Sequence, residues 1–284
     1  MEARVITASR PVPPADPVVP ATELTRSRRR ERVVTALVWL CRALVVVVPL
    51  TLWQYLSDER IIPRFLFSSP EAVWEQLVEW TFDGTIVANA SFTLMNAFLG
   101  YFLGLVIGVA LAVLFTVSPR LGGIFIPFLT MINAIPRIAF APLLVAWFGF
   151  GLASNIALVV LVIVFVNFFA AYGGLSAVDE GNMLWSMALG ASRWQVWTTV
   201  RLPAIGVWVL SALRMCIGLA LSAAIVSEFV GGARGIGYLA SSSTNTFKSA
   251  GVYAAITVTI VVAGLLDVFL RMAERRMTQW SAHV

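Results

Sequence analysis

Long stretches of this chain carry almost no charge, and a run of roughly 20 apolar residues crosses about 30 Å of hydrocarbon as a single helix. Such runs lie near residues 33–56, 91–117, 122–148, 154–174, 204–229 and 250–271. Inside lipid no water is present to satisfy backbone N–H and C=O groups, so a continuous apolar run must bond to itself as a helix. The expected fold is therefore all-α and polytopic, with about six transmembrane helices. Composition agrees, since 59% of the residues are hydrophobic and only 12% are charged. A soluble domain carries about a quarter charged residues. The third run contains Pro127, Pro136 and Pro142, so it is expected to be kinked.

The ends of these runs set the orientation. Thirteen of the twenty basic residues fall on one side of the membrane if the N-terminus is cytoplasmic, and four fall on the other. That bias places both termini in the cytoplasm. Residues 1–32 are Pro-rich and end in a cluster of Arg26, Arg28, Arg29, Arg30 and Arg32, which reads as a disordered basic tail. Residues 33–272 form the membrane domain, and 273–284 form a second cytoplasmic tail. The net charge of +5 does not indicate nucleic acid, because the basic residues flank apolar runs instead of forming one patch. His283 is the sole histidine, and Cys41 and Cys216 lie inside apolar runs. Zinc chemistry and a histidine base are thereby excluded, and no metal site is expected.

Two further patterns are structural. Glu71, Glu75 and Glu79 recur every four residues opposite Val73, Trp74, Leu77 and Val78, predicting an amphipathic helix over 70–83 at the outer surface. Gly100, Gly104, Gly108 and Ala112 line one face of the second run. Small residues at this interval let another helix backbone approach closely.

The longest internal polar segment, residues 177–203, follows the fourth run on the cytoplasmic side. Met183 to Leu189 are good helix formers, Gly190 breaks the helix, Ser192 can cap a second one, and Pro203 opens the fifth run. A helix, a glycine turn and a second helix make a knob suited to docking a soluble partner; a plain amphipathic linker is the other reading.

Here the sequence resembles the permeases of binding-protein-dependent, ATP-driven (ABC) importers. Their cytoplasmic loop reads Glu-Ala-Ala, three residues, Gly, nine residues, then Ile-x-Leu-Pro. Gly190, Val200, Leu202 and Pro203 hold those intervals, and Ala191 follows the glycine as in the family. Leu184, Trp185 and Ser186 stand where the family has Glu-Ala-Ala, and Glu180 lies one turn earlier. The segment from Ile135 to Gly151 and the run from Ser227 to Leu239 resemble the nitrate, sulfonate, taurine and bicarbonate permeases. The resemblance implies a type I importer permease in the bacterial inner (plasma) membrane. Two copies of the chain would pair with two ATPase subunits and an external substrate-binding protein. Glu180, Leu184, Trp185, Ser186, Gly190, Ala191, Leu202 and Pro203 would then form the coupling site. No phosphate-cradling Gly-Lys-Ser/Thr is present, and Lys248 is the only lysine. ATP and magnesium are accordingly expected on the partner ATPase, with no cofactor in this chain.

Ionisable residues inside spans cost about 2.5–3.5 kcal/mol on insertion scales and so need a partner or a wet cavity. Arg42 and Asp267 read as structural pairs. Arg137 follows Pro136, with Asn133 one turn away, and a positive charge at such a kink would favour an anionic solute. Pairing of Arg137 with a carbonyl or an acid of another helix is the rival reading. Glu228 resembles a family glutamate at the outer end of the fifth run, a gate or a brace. Asn133, Pro136, Arg137 and Glu228 are the candidate path residues. An ion-gradient-driven secondary transporter is the alternative function; it would require repeated halves, and none is found.

Overall fold

The computed structural model describes residues 21–178 and 180–278; the side chains of 21–33, Ala36, Glu180, Asn182 and 273–278 lie outside the described part. All the described elements are helices. They are α1 (Ala21–Asp58), α2 (Arg64–Phe67), α3 (Pro70–Phe82), α4 (Thr85–Val117), α5 (Pro119–Asn133), α6 (Ala141–Phe148), α7 (Leu152–Ser176), α8 (Glu180–Ala188), α9 (Arg193–Val196), α10 (Leu202–Gly231), α11 (Ile236–Asn245) and α12 (Ser249–Thr278). A 3₁₀ turn, Arg137–Phe140, precedes α6, and a π turn, Trp197–Arg201, precedes α10. Five helices are long and apolar enough to cross a membrane, or six when α5 and its continuation through α6 count as one broken span.

The helix α1, through Tyr55, is a unit by itself, with Pro49 inside it and apolar side chains exposed from Val34 to Tyr55. It is helical from Ala21, the first described residue, so residues 21–32 are helix where an irregular tail was expected. The last proline of the tail is Pro20, and residues 21–32 contain neither glycine nor proline to stop the helix. Residues 1–20 and 279–284 lie outside the described residues.

From Leu56 onward the core is built on α4, α7 and α10. Gly100, Gly104 and Gly108 face α7 so closely that side chains would not fit. A Cβ added at Gly104 would lie 2.8 Å from the Cβ of Ile163, and one at Gly108 would lie 2.6 Å from the carbonyl oxygen of Val164. Ala112 continues the same stripe and is fully buried. Small residues spaced by four thus let the two backbones touch, and dispersion replaces the hydrophobic effect that lipid cannot supply. Next to this contact, Ala97, Tyr101, Val159, Ile163, Cys216, Ile217, Ala220 and Ala224 form one cluster among the three helices. Phe115, Phe168, Ala171, Leu175 and Ile205 form a second cluster, and the Phe115 and Phe168 rings meet edge to face.

The third span departs most from expectation. It is two helices bent by 87° instead of one kinked helix. Pro136 has no N–H to continue the ladder and drives Ile135 away from helical dihedrals. The N–H groups of Ala134 and Ile135 therefore turn back to the carbonyls of Met131 and Ile132, at 3.1 and 3.0 Å. The predicted surface helix is present as α3, capped by Ser69, whose hydroxyl accepts from the N–H of Ala72, with Pro70 in its first turn. Unforeseen in the sequence is α11, which packs Ile236 and Leu239 against Ala255 and Val258 of α12.

Candidate functional site

The polar segment after α7 folds into a knob with two defined stops. At the end of α8 the N–H of Ala191 bonds to the carbonyl of Ser186 and that of Gly190 to Met187, both at 3.0 Å. This paired closure needs a residue in the left-handed region, and Gly190 has φ of +94°. Ser192 then opens α9. Its hydroxyl accepts from the N–H of Gln195, and the Gln195 side-chain oxygen accepts from the N–H of Ser192 at 2.7 Å, a reciprocal capping box. Beyond the π turn, Leu202 and Pro203 start α10, with Pro203 in its first turn.

The surface of the knob is apolar. Trp185 is 73% exposed, Leu189 86% and Trp194 75%, and Leu184 and Leu202 are exposed as well. Leu184, Trp185 and Ser186 lie on α8, Gly190 and Ala191 in the turn, and Leu202 and Pro203 at the root of α10. The structure thus gathers these coupling candidates into one knob. Glu180 begins α8, but its side chain lies outside the described residues.

Asn133, Pro136 and Arg137 meet at the break in the third span. The Arg137 guanidinium donates from Nη2 to the Asn133 carbonyl at 3.0 Å and to the Asn133 side-chain oxygen, and from Nη1 to the Val162 carbonyl of α7 at 3.3 Å. It also lies over the Phe165 ring, 5.3 Å from the centroid. The charge is thus spread over the Asn133 carbonyl at the bend and the Val162 carbonyl within α7, and it ties the break to α7.

Glu228 is elsewhere. It is fully buried in α10, where Oε2 accepts from the Thr93 hydroxyl at 2.7 Å and the Gly237 N–H at 3.2 Å, and Oε1 accepts from the Asn96 amide at 2.9 Å. The Thr93 hydroxyl oxygen also accepts from the N–H of Ile236, and Asn89 accepts from Gly235. One carboxyl group, fully buried, therefore joins α4, α10 and the start of α11. Asn89 and Thr93 were missed in the sequence, although Asn89, Thr93 and Asn96 form a polar stripe at helical spacing on an apolar span. Asp267 is a structural partner: it accepts from Nε of Arg214 and Nε of Arg271, each at 2.8 Å. Arg42 lies over the Trp39 ring.

Comparisons with known proteins give this arrangement a context. A family model described as "Binding-protein-dependent transport system inner membrane component" matches residues 100–279. The taurine transport system permease protein TauC of Escherichia coli is 29% identical over 84% of this chain and 89% of its own. A probable ABC transporter permease protein of Haemophilus influenzae is 33% identical over 78% of this chain and 89% of its own. Among solved structures, an inward facing conformation of the MetNI methionine ABC transporter is similar, with a TM-score of 0.59 at 20% identity over 70% of this chain and 97% of the other. That last likeness concerns the fold.

Proposed function

Because this chain belongs to the family of binding-protein-dependent transport system inner membrane components, we propose that it works as one of two identical permease subunits carrying a small anionic solute inward. The chain is a transport subunit of an ABC permease, and taurine-type and sulfonate-type permeases are among its relatives. The cargo proposed here is a small sulfonate or a similar anion, delivered by an external binding protein. Two ATPase subunits, which hold ATP and magnesium, grip the knob made by α8, Gly190 and α9. The protein sits in the bacterial inner membrane with both termini cytoplasmic, on the side favoured by its arginines.

One observation carries the coupling role. Exposed Leu184, Trp185, Leu189 and Trp194 stand on a polar segment whose turns are fixed by a capping box and a left-handed glycine. A built surface that presents indoles and leucines to water is the signature of a docking site. Hydrolysis in the partner would move this knob and, through Leu202 and Pro203, tilt α10. The solute path is proposed to pass the broken third span near Asn133, Pro136 and Arg137.

Purification of the permease after co-expression with its ATPase, followed by crosslinking, tests the reading. Crosslinks from Trp185→Cys and Trp194→Cys to the ATPase are expected. Crosslinks confined to the N-terminal tail overturn the docking role. A stable carrier that transports without any ATPase overturns the reading as a whole in favour of a gradient-driven transporter.

A further inference from the structure

Behind the knob, where it meets the end of α4, lies a cleft of about 400 Å³. Its walls combine Thr116 and Val117 from the last turn of α4 with Met183 and Met187 of α8, Arg193 of α9, and Trp197 and Arg201 of the π turn. Among the described residues the lining holds two arginines and no acid. Neither arginine makes an ion pair among the described residues. Arg201 lies over the Trp197 ring, 4.8 Å from the centroid, and its Nε is buried without a hydrogen-bond partner. A buried guanidinium N–H left unmatched is costly. The cleft also lies at the end of α4, a helix long and apolar enough to cross a membrane. Arg120, exposed at the start of α5, adds a third positive charge just past Val117.

We propose that this cleft binds the anionic headgroup of a membrane phospholipid, with the phosphate between Arg193 and Arg201 and the methionines against the first carbons of its chains. Phosphate matches the planar fork of arginine, which delivers parallel N–H donors to two oxygens. Basic pockets between membrane helices are suited to such headgroups. The π turn is part of the geometry. Five residues in one wide turn hold Trp197 and Arg201 stacked on one side, and wide turns of this kind mark functional sites in other helices. The lipid would brace the knob from the membrane side, while its exposed tryptophans stay available for the partner of the proposed coupling role. The proposal goes beyond that role and needs no transport assay to be judged.

The test uses the full-length permease in nanodiscs of phosphatidylcholine doped with phosphatidylglycerol, with bound lipid read by native mass spectrometry. Phosphatidylglycerol should be retained over phosphatidylcholine. Each single variant, Arg201→Gln and Arg193→Gln, should lower that preference about fivefold, the equivalent of about 1 kcal/mol per arginine near an anionic surface. Arg214→Gln, in the separate pair with Asp267, serves as the control and should leave it unchanged. Equal retention of both lipids by the wild type overturns the proposal, as does a preference that survives both cleft variants. Competition by soluble glycerol phosphate at millimolar concentration, with no dependence on lipid, assigns the cleft to a free anion and overturns it as well. A cleft that fails these tests in a permease that still binds its ATPase leaves the proposed function standing.

Discussion

Gly190, with φ of +94°, stands in open space: a Cβ added there would meet nothing within 4 Å. A substitution is therefore strained only in the backbone, by about 1–2 kcal/mol for a branched side chain in the left-handed region. Gly190→Leu should reshape the knob while the membrane core stays folded. Uptake in reconstituted liposomes should fall several-fold with melting temperature nearly unchanged, and Gly190→Asn should retain most of the activity. Unchanged uptake in the leucine variant would remove the knob from the coupling path. Glu228 behaves in the opposite way, because its carboxyl oxygens accept from Thr93, Asn96 and Gly237 in a closed set. In Glu228→Gln one accepting oxygen becomes a donor facing donors, so about 1–3 kcal/mol of stability should be lost. Thermal unfolding in detergent checks this, and a melting temperature equal to wild type would show that the knot is not needed. Arg137 combines both cases. It holds the carbonyls of Asn133 and Val162, so Arg137→Gln should lower yield and uptake together, and Arg137→Lys should restore part of both. Full stability with lost uptake would instead make the guanidinium a contact of the solute.

The contact between α4 and α7 is a property of two elements, not of one residue. Gly108 lies against the backbone of Val164 and Phe168, so Gly108→Val forces the helices apart and should cost about 1–3 kcal/mol or more as overpacking. The same change at Gly218, where nothing lies within 4 Å, should be nearly silent. Folding yield by size-exclusion chromatography separates the two. The glycine stripe was legible in the sequence because lipid-embedded helices advertise close approach through spacing alone. The apolar runs were legible for the same reason, and so were the Gly190 turn and the Ser192 cap, whose chemistry is local. The depth of the bend after Asn133 was not, since a proline announces a lost hydrogen bond but not the angle that packing then selects. Nor was α11: its helix starts at a glycine, Gly235, and is held by side chains of α4 more than a hundred residues earlier. The partners of Glu228 were hidden likewise, because pairing between distant spans leaves no trace in spacing.

At the scale of the whole molecule, the arginine bias predicts which end faces the cytoplasm. A cysteine introduced at His283 in a background without Cys41 and Cys216 should react with an impermeant maleimide in inside-out vesicles and not in intact spheroplasts. Labelling in spheroplasts would invert the topology and place the knob outside, away from any ATP. The described helices also divide the labour of movement unequally. Along the stripe from Gly100 to Gly108, α4 lies against Val159 and Ile163 of α7 and, at Gly108, against its backbone, so neither helix can slide past the other without driving these groups into a glycine Cα carbon. In mechanical language the pair is a strut, stiff against shear, and a strut transmits displacement without absorbing it. Whatever flexing an alternating machine requires must then fall at its joints, where the chain has given up a regular ladder, among them the elbow at Pro136 and the swivel at Gly190.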